Sequence, residues 1–133
     1  MRFDELRRVY RTARRKKPDD DEHRLQCACV KAFRYKYPKL RHNLFAVPNG
    51  GRRDKITGAR LKAEGVVAGV SDLILLKSSR HYGALLIEMK TPKGRQQESQ
   101  KEWERLITAD GYKYVVCRSV KQFLDEIGRY LVE

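Results

Sequence analysis

Two short apolar runs constrain this chain more than anything else in it. They are Leu73-Ile74-Leu75-Leu76 and Leu85-Leu86-Ile87, separated by Ser78-Ser79-Arg80-His81-Tyr82-Gly83. Apolar runs on either side of a polar, turn-rich break predict the two strands of a hairpin. Folding about Arg80 pairs Lys77 with Gly83 and puts Asp72 opposite Glu88. Residues directly opposite each other project from the same face. Glu88 and Lys90 are two apart, so they share that face as well. The hairpin therefore gathers two acids and an amine at one end of an apolar element.

That grouping suits a divalent cation. Mg²⁺ prefers oxygen ligands, commonly takes one or two carboxylates and keeps waters elsewhere. Asp72 and Glu88 supply that number, and the main-chain carbonyl of Met89 offers a third ligand. Lys90 is placed to orient a water or to stabilise a phosphate under attack. The competing reading is plainer: Asp72 as a turn or cap residue, and Glu88 with Lys90 as an ion pair or the solvated face of an edge strand. Burial separates the two. A strand flanked by helices is covered on both sides, and a buried carboxylate is costly unless it is paired or bound to metal.

Two helices can add to this group. Glu22 and Gln26 are four apart and share a helix face. Gln100 shares another with Trp103 and Ile107, and its helix can return over the sheet after the Pro92–Arg95 loop. An amide there reaches a water or a phosphate. Arg52 and Arg53 follow Asn49-Gly50-Gly51, and Lys93 and Arg95 flank Gly94. Exposed main-chain N–H groups beside cations suit phosphate binding. His42 and His81 read as structural or exposed.

The net charge is +13, from 30 Lys and Arg against 17 Asp and Glu. Such a surface favours polyanions, of which nucleic acid is the commonest. A membrane surface fits less well, because no long basic amphipathic stretch has the apolar face it needs. No run approaches the ~20 apolar residues of a membrane span. The start Met1-Arg2-Phe3-Asp4-Glu5 lacks the apolar core of a secretory signal. Cys27, Cys29 and Cys117 cannot all pair with one another, which fits a reducing compartment. His23, Cys27 and Cys29 lack the second ligand pair expected of a zinc site.

At 133 residues the chain is expected to form one domain. The apolar spacing predicts helices over 3–16 and about 20–36, the second ended by Pro38. A short strand follows over 42–47, then a turn at Pro48-Asn49-Gly50-Gly51 and a short helix ended by Gly65. After the hairpin come a helix over 96–109 with Trp103, Leu106 and Ile107 inward, a strand over 112–117, and a last helix capped by Ser119. A helix between the third and fourth strands permits a parallel crossover. The fold class is α/β, a mixed central sheet with helices on both faces.

Taken together, these residues resemble a VRR-NUC domain, the virus-type replication-repair nuclease module of the PD-(D/E)xK superfamily. The resemblance covers residues 20–127 and rests on Pro48-Asn49-Gly50-Gly51, Gly69-Val70-Ser71-Asp72-Leu73, Ile87-Glu88-Met89-Lys90-Thr91, and the Lys93-Gly94 to Gln100 segment followed by Trp103. It implies a restriction-endonuclease-like αβ sandwich over 18–133, with residues 1–17 as a basic helical extension. It implies a Mg²⁺- or Mn²⁺-dependent DNA endonuclease, with duplex, single-stranded or branched DNA as substrate. The metal-binding acids map onto Asp72 and Glu88, the catalytic lysine onto Lys90, the helix acid onto Glu22 and the glutamine onto Gln100. Ser71 departs from the family pattern, which usually has proline there. The resemblance further implies a homodimer in the cytoplasm of a bacterial or phage-infected cell. The rival functions are a non-catalytic basic DNA-binding protein that keeps the fold, and a basic structural or RNA-associated protein whose acids are surface ion pairs.

Overall fold

The computed structural model of the chain describes residues 18–48 and 55–132. The helix expected over 3–16, the Asn49-Gly50-Gly51 part of the turn, and Arg52 and Arg53 lie outside the described residues.

Helix α1 (Pro18–Lys36) ends where the sequence requires. Tyr37 precedes Pro38, and the proline ring disfavours helical geometry in the residue before it. Tyr37 accordingly has φ −125°. Pro38 then starts a 3₁₀ helix, Pro38–Asn43, so the strand expected over 42–47 is shorter: β1 is Leu44–Ala46. Helix α2 (Lys55–Ala63) leads to β2 (Leu73–Leu75) and β3 (Leu85–Met89). Helix α3 (Glu98–Ala109), β4 (Lys113–Cys117) and α4 (Val120–Val132) complete the chain.

The four strands lie in the order β1-β2-β3-β4. The first two pairings are antiparallel, and β3 pairs with β4 in parallel, across the α3 crossover. In the hairpin Leu73 faces Ile87 and Leu75 faces Leu85. That is the register of a fold about Arg80. All five residues of β3 are buried. Interior position and cover on both faces remove the edge-strand reading of Glu88.

One sheet face presents Leu73, Leu75, Leu85, Ile87, Met89 and Cys117 to Cys29 and Phe33 of α1 and to Phe123, Ile127 and Tyr130 of α4. Each is fully buried. Burying a large apolar side chain of this kind stabilises by about 1.5–3 kcal/mol. Helix α3 covers the opposite face through one stripe, Gln100, Trp103, Glu104 and Ile107, all half-buried. Trp103 packs tilted on Tyr114 of β4, ring centroids 6.1 Å apart. Leu106, expected inward, falls beside that stripe and is 49% exposed. No helix among the described residues is long and apolar enough to cross a membrane.

Helix α4 starts on the expected cap. Ser119 Oγ accepts the Gln122 N–H at 3.0 Å, and Gln122 Oε1 accepts the Arg118 N–H at 2.8 Å. Near its other end, the buried Tyr130 hydroxyl donates to the carbonyl of Lys77, fixing the exit of β2. Replacing Tyr130 by Phe leaves that carbonyl without its donor. The expected cost is about 1–2 kcal/mol, read as a lower urea midpoint with an unchanged slope. The carboxylate end of the sheet should be unaffected.

Candidate metal centre

The register carries the site. Continuing the ladder past Leu73 and Ile87 brings Asp72 opposite Glu88. Asp72 is held from two sides. Its carbonyl accepts the Val47 N–H at 2.9 Å, prolonging the β1 pairing, and its Oδ2 accepts the Met89 N–H at 2.7 Å. Ser71, at the position where the resemblance implies proline, is fully buried, and its Oγ donates to the Leu73 carbonyl at 3.2 Å. The hydroxyl supplies a local tether where proline would supply stiffness.

Glu22 comes in from the first turns of α1. One oxygen from each of Glu22, Asp72 and Glu88 lies within 4.8 Å of the others. Lys90, 6% exposed, places its Nζ 3.8 Å from Glu88 Oε1. That separation is too long for a hydrogen bond. The ion-pair reading is therefore incomplete: the lysine is near, but it does not satisfy the carboxylate.

What satisfies Glu88 is Gln100. The Gln100 Oε1 accepts the Gln97 N–H at 2.8 Å, which fixes the direction of the amide. Only Nε2 is left to face the sheet, and it donates to Glu88 Oε1 at 2.9 Å. The Tyr114 hydroxyl donates to Glu88 Oε2 at 3.3 Å. Behind it, Gln96 Nε2 donates to both Tyr114 Oη at 3.2 Å and Glu104 Oε1 at 3.0 Å. Burial raises the Tyr114 pKa, and the nearby Glu88 raises it further. The hydroxyl thus stays a donor.

The Glu88 carboxyl is pushed up to about 9. Burial is the largest cause, followed by the charge and hydrogen bond of Asp72; Glu22 adds to the rise and Lys90 opposes it. Three carboxyls this close hold a proton unless a cation replaces it. Their donor set, oxygens only, matches Mg²⁺ or Mn²⁺. Met89 joins the site through its main chain, while its side chain is in the core on the other face.

A cleft of about 800 Å³ opens over these groups between α1, α2 and the start of α3. Glu22, Asp72, Lys90 and Gln100 line it, with His23 and Lys62 on its walls. Gly69 lines it as well. With φ +87°, it brings the chain so close to α3 that a Cβ there would lie 2.2 Å from the Ser99 carbonyl oxygen. Any side chain at 69 would push away the helix turn that carries Gln100. Lys93 and Arg95 are exposed on the loop after Lys90 and do not line the cleft. That loop is clamped by Arg118, whose Nη1 donates to the carbonyls of Thr91 at 2.8 Å and Gly94 at 2.6 Å.

Arg118, Tyr114, Gln96 and the close approach at Gly69 escaped the sequence reading. Gly69 alone left a signal, as a glycine three residues before the first acid.

The raised Glu88 carboxyl makes a signed prediction. Its folded pKa lies above its ordinary value of 4.5. Its contribution to stability is therefore present at low pH and lost as pH rises towards about 9. Glu88→Gln cannot ionise and keeps one acceptor oxygen, which can still take the Gln100 hydrogen bond. Without divalent ions, its melting temperature relative to wild type should rise by on the order of 10–20 °C between pH 5 and pH 9. A difference that stays flat across that range counts against the buried, protonated Glu88.

Comparison with known proteins bears on this geometry. The model of the VRR-NUC domain matches residues 11–121. A solved structure described as "VRR_NUC domain protein" is similar, with a TM-score of 0.72, 24% sequence identity, and coverage of 83% of this chain and 87% of that one. At that identity the likeness speaks for the fold. No curated protein matches the sequence. The sheet order, the crossover helix and a family match spanning most of the length agree: the chain has a nuclease-type fold and belongs to the VRR-NUC domain family.

Proposed function

We propose that the protein is a divalent-metal-dependent DNA endonuclease that hydrolyses phosphodiester bonds. The observation that carries this reading is the convergence of Glu22, Asp72 and the buried Glu88 within 4.8 Å, beside Lys90. Asp72, Glu88, Glu22 and the Met89 carbonyl would hold Mg²⁺ or Mn²⁺, which when bound would supply charge stabilisation on the phosphate and acidify a water.

The chain's own residues do the rest. Gln100 and Tyr114 keep Glu88 in one orientation through directed hydrogen bonds. Lys90 presents the one buried cation of the described residues to the cleft, where it orients the attacking water or stabilises the five-coordinate phosphate. Lys93 and Arg95, with Arg52 and Arg53, grip flanking phosphates. Branched DNA is a candidate substrate, and a homodimer would offer two such sites to two strands.

The assay is cleavage of supercoiled, single-stranded and branched DNA with Mn²⁺. Wild type should cut, and chelation should stop it. Asp72→Asn and Lys90→Ala should each lose at least about 100-fold in rate while still binding DNA. Equal cleavage by all three proteins removes the assignment. Salt-sensitive binding without cleavage by wild type favours the non-catalytic DNA-binding alternative.

A further inference from the structure

The cations of this chain fall into two groups. On α3 and α4 they are neutralised locally: Lys101 pairs with Glu98, Arg105 with Glu102, Lys121 with Asp125 and Arg129 with Glu126. On the exterior of α1 and the 3₁₀ helix they are not. No acid occurs between Glu22 and Asp54. Lys31, Arg34, Lys39 and Arg41 are all exposed, and none forms an ion pair among the described residues.

These cations are also ordered in space. His23, Cys27, Lys31 and Arg34 are three or four residues apart, so they make one stripe on α1. All four are exposed, because the helix buries the opposite side through Cys29 and Phe33. The stripe begins in the cleft, which His23 lines. Lys39 and Arg41 follow on the 3₁₀ helix, where the chain turns back towards β1, and Tyr35 stands beside the stripe with 91% of its surface exposed. At 1.5 Å per helical residue, the path from His23 to Arg34 is about 17 Å long, or roughly five nucleotides.

We propose that this stripe is a backbone-binding track that anchors the nucleic acid on one side of the cleft. The inference rests on the nuclease reading for the identity of the polyanion, and it adds a surface remote from the acids. Compensation of the α1 dipole explains cations in the last turn alone. Lys31 lies before that turn, and Lys39 and Arg41 lie beyond the helix.

The test compares two quadruple variants of the full chain that lose the same charge. One replaces Lys31, Arg34, Lys39 and Arg41 by Gln; the other replaces Lys101, Arg105, Lys121 and Arg129 by Gln. Gln matches Lys and Arg in helix propensity, and circular dichroism checks the fold. Both are made in the Asp72→Asn background and titrated against a fluorescein-labelled DNA duplex over a salt series. The track variant should bind at least about 30-fold more weakly, with a log–log salt slope shallower by about three. The control variant should change less than about threefold. Equal losses, or an unaffected track variant, overturn the proposal. Cleavage by the Asp72-intact protein is scored separately. Track-dependent binding without cleavage would sink the nuclease reading alone, and cleavage with track-independent binding would sink the track alone.

Discussion

The structure turns on placing a carboxyl group with no solvent exposure in the middle of its central strand. Glu88 interrupts an apolar run on β3, all five residues of which are buried. An ionised carboxylate there is unfavourable unless something replaces the lost water. Gln100 and Tyr114 each donate one hydrogen bond, and Lys90 stands at the limit of an ion pair. These contacts do not neutralise the site, because Asp72 and Glu22 bring two more acids into it. Without a cation, Glu88 holds a proton, and the protein carries a local electrostatic debt at neutral pH.

The rest of the fold follows from meeting that constraint with short elements. The hairpin register sets two acids side by side, and the main-chain N–H of Met89 fixes the orientation of Asp72. Parallel pairing of β3 with β4 requires a crossover, and the crossover is the helix that delivers Gln100. Gly69 lets the segment before Asp72 touch that helix backbone to backbone. Three separate stretches of chain thus meet at one carboxyl group. The apolar core lies on the opposite sheet face, against α1 and α4, so the polar cluster interrupts the packing of neither helix.

Much of this was legible in the sequence for a physical reason. Strand periodicity is two, so once the turn centre is placed the faces of Asp72, Glu88 and Lys90 are determined. Gln100 was legible because it shares a helical stripe with Trp103 and Ile107. The missed contacts depend on tertiary distance. Nothing local in Lys113-Tyr114-Val115 marks Tyr114 as a donor to a residue on the neighbouring strand. Arg118 reads as one more base in a basic chain until its guanidinium is seen on the Thr91 and Gly94 carbonyls. The 3₁₀ helix was hidden because Pro38 reads equally well as the end of one helix and the start of another. Leu106 shows the opposite error, an apolar residue near the right spacing but outside the narrow contact stripe of α3.

The same carboxyl group links the two charge patterns of the molecule. A chain of net charge +13 attracts polyanions over most of its surface, yet its cleft floor gathers three acids that repel phosphate. Lys90 is one cation among three carboxyl groups. In the proposed reaction, a divalent cation held by these acids would offset that repulsion. Proton and metal compete for the same oxygens, so raising the pH strengthens metal binding just as it destabilises the metal-free fold. Exposed cations outside the cleft can hold the nucleic acid irrespective of that exchange. Separating the grip on the backbone from the chemistry lets the acids stay buried and directed, which a single mixed surface of acids and bases would not allow.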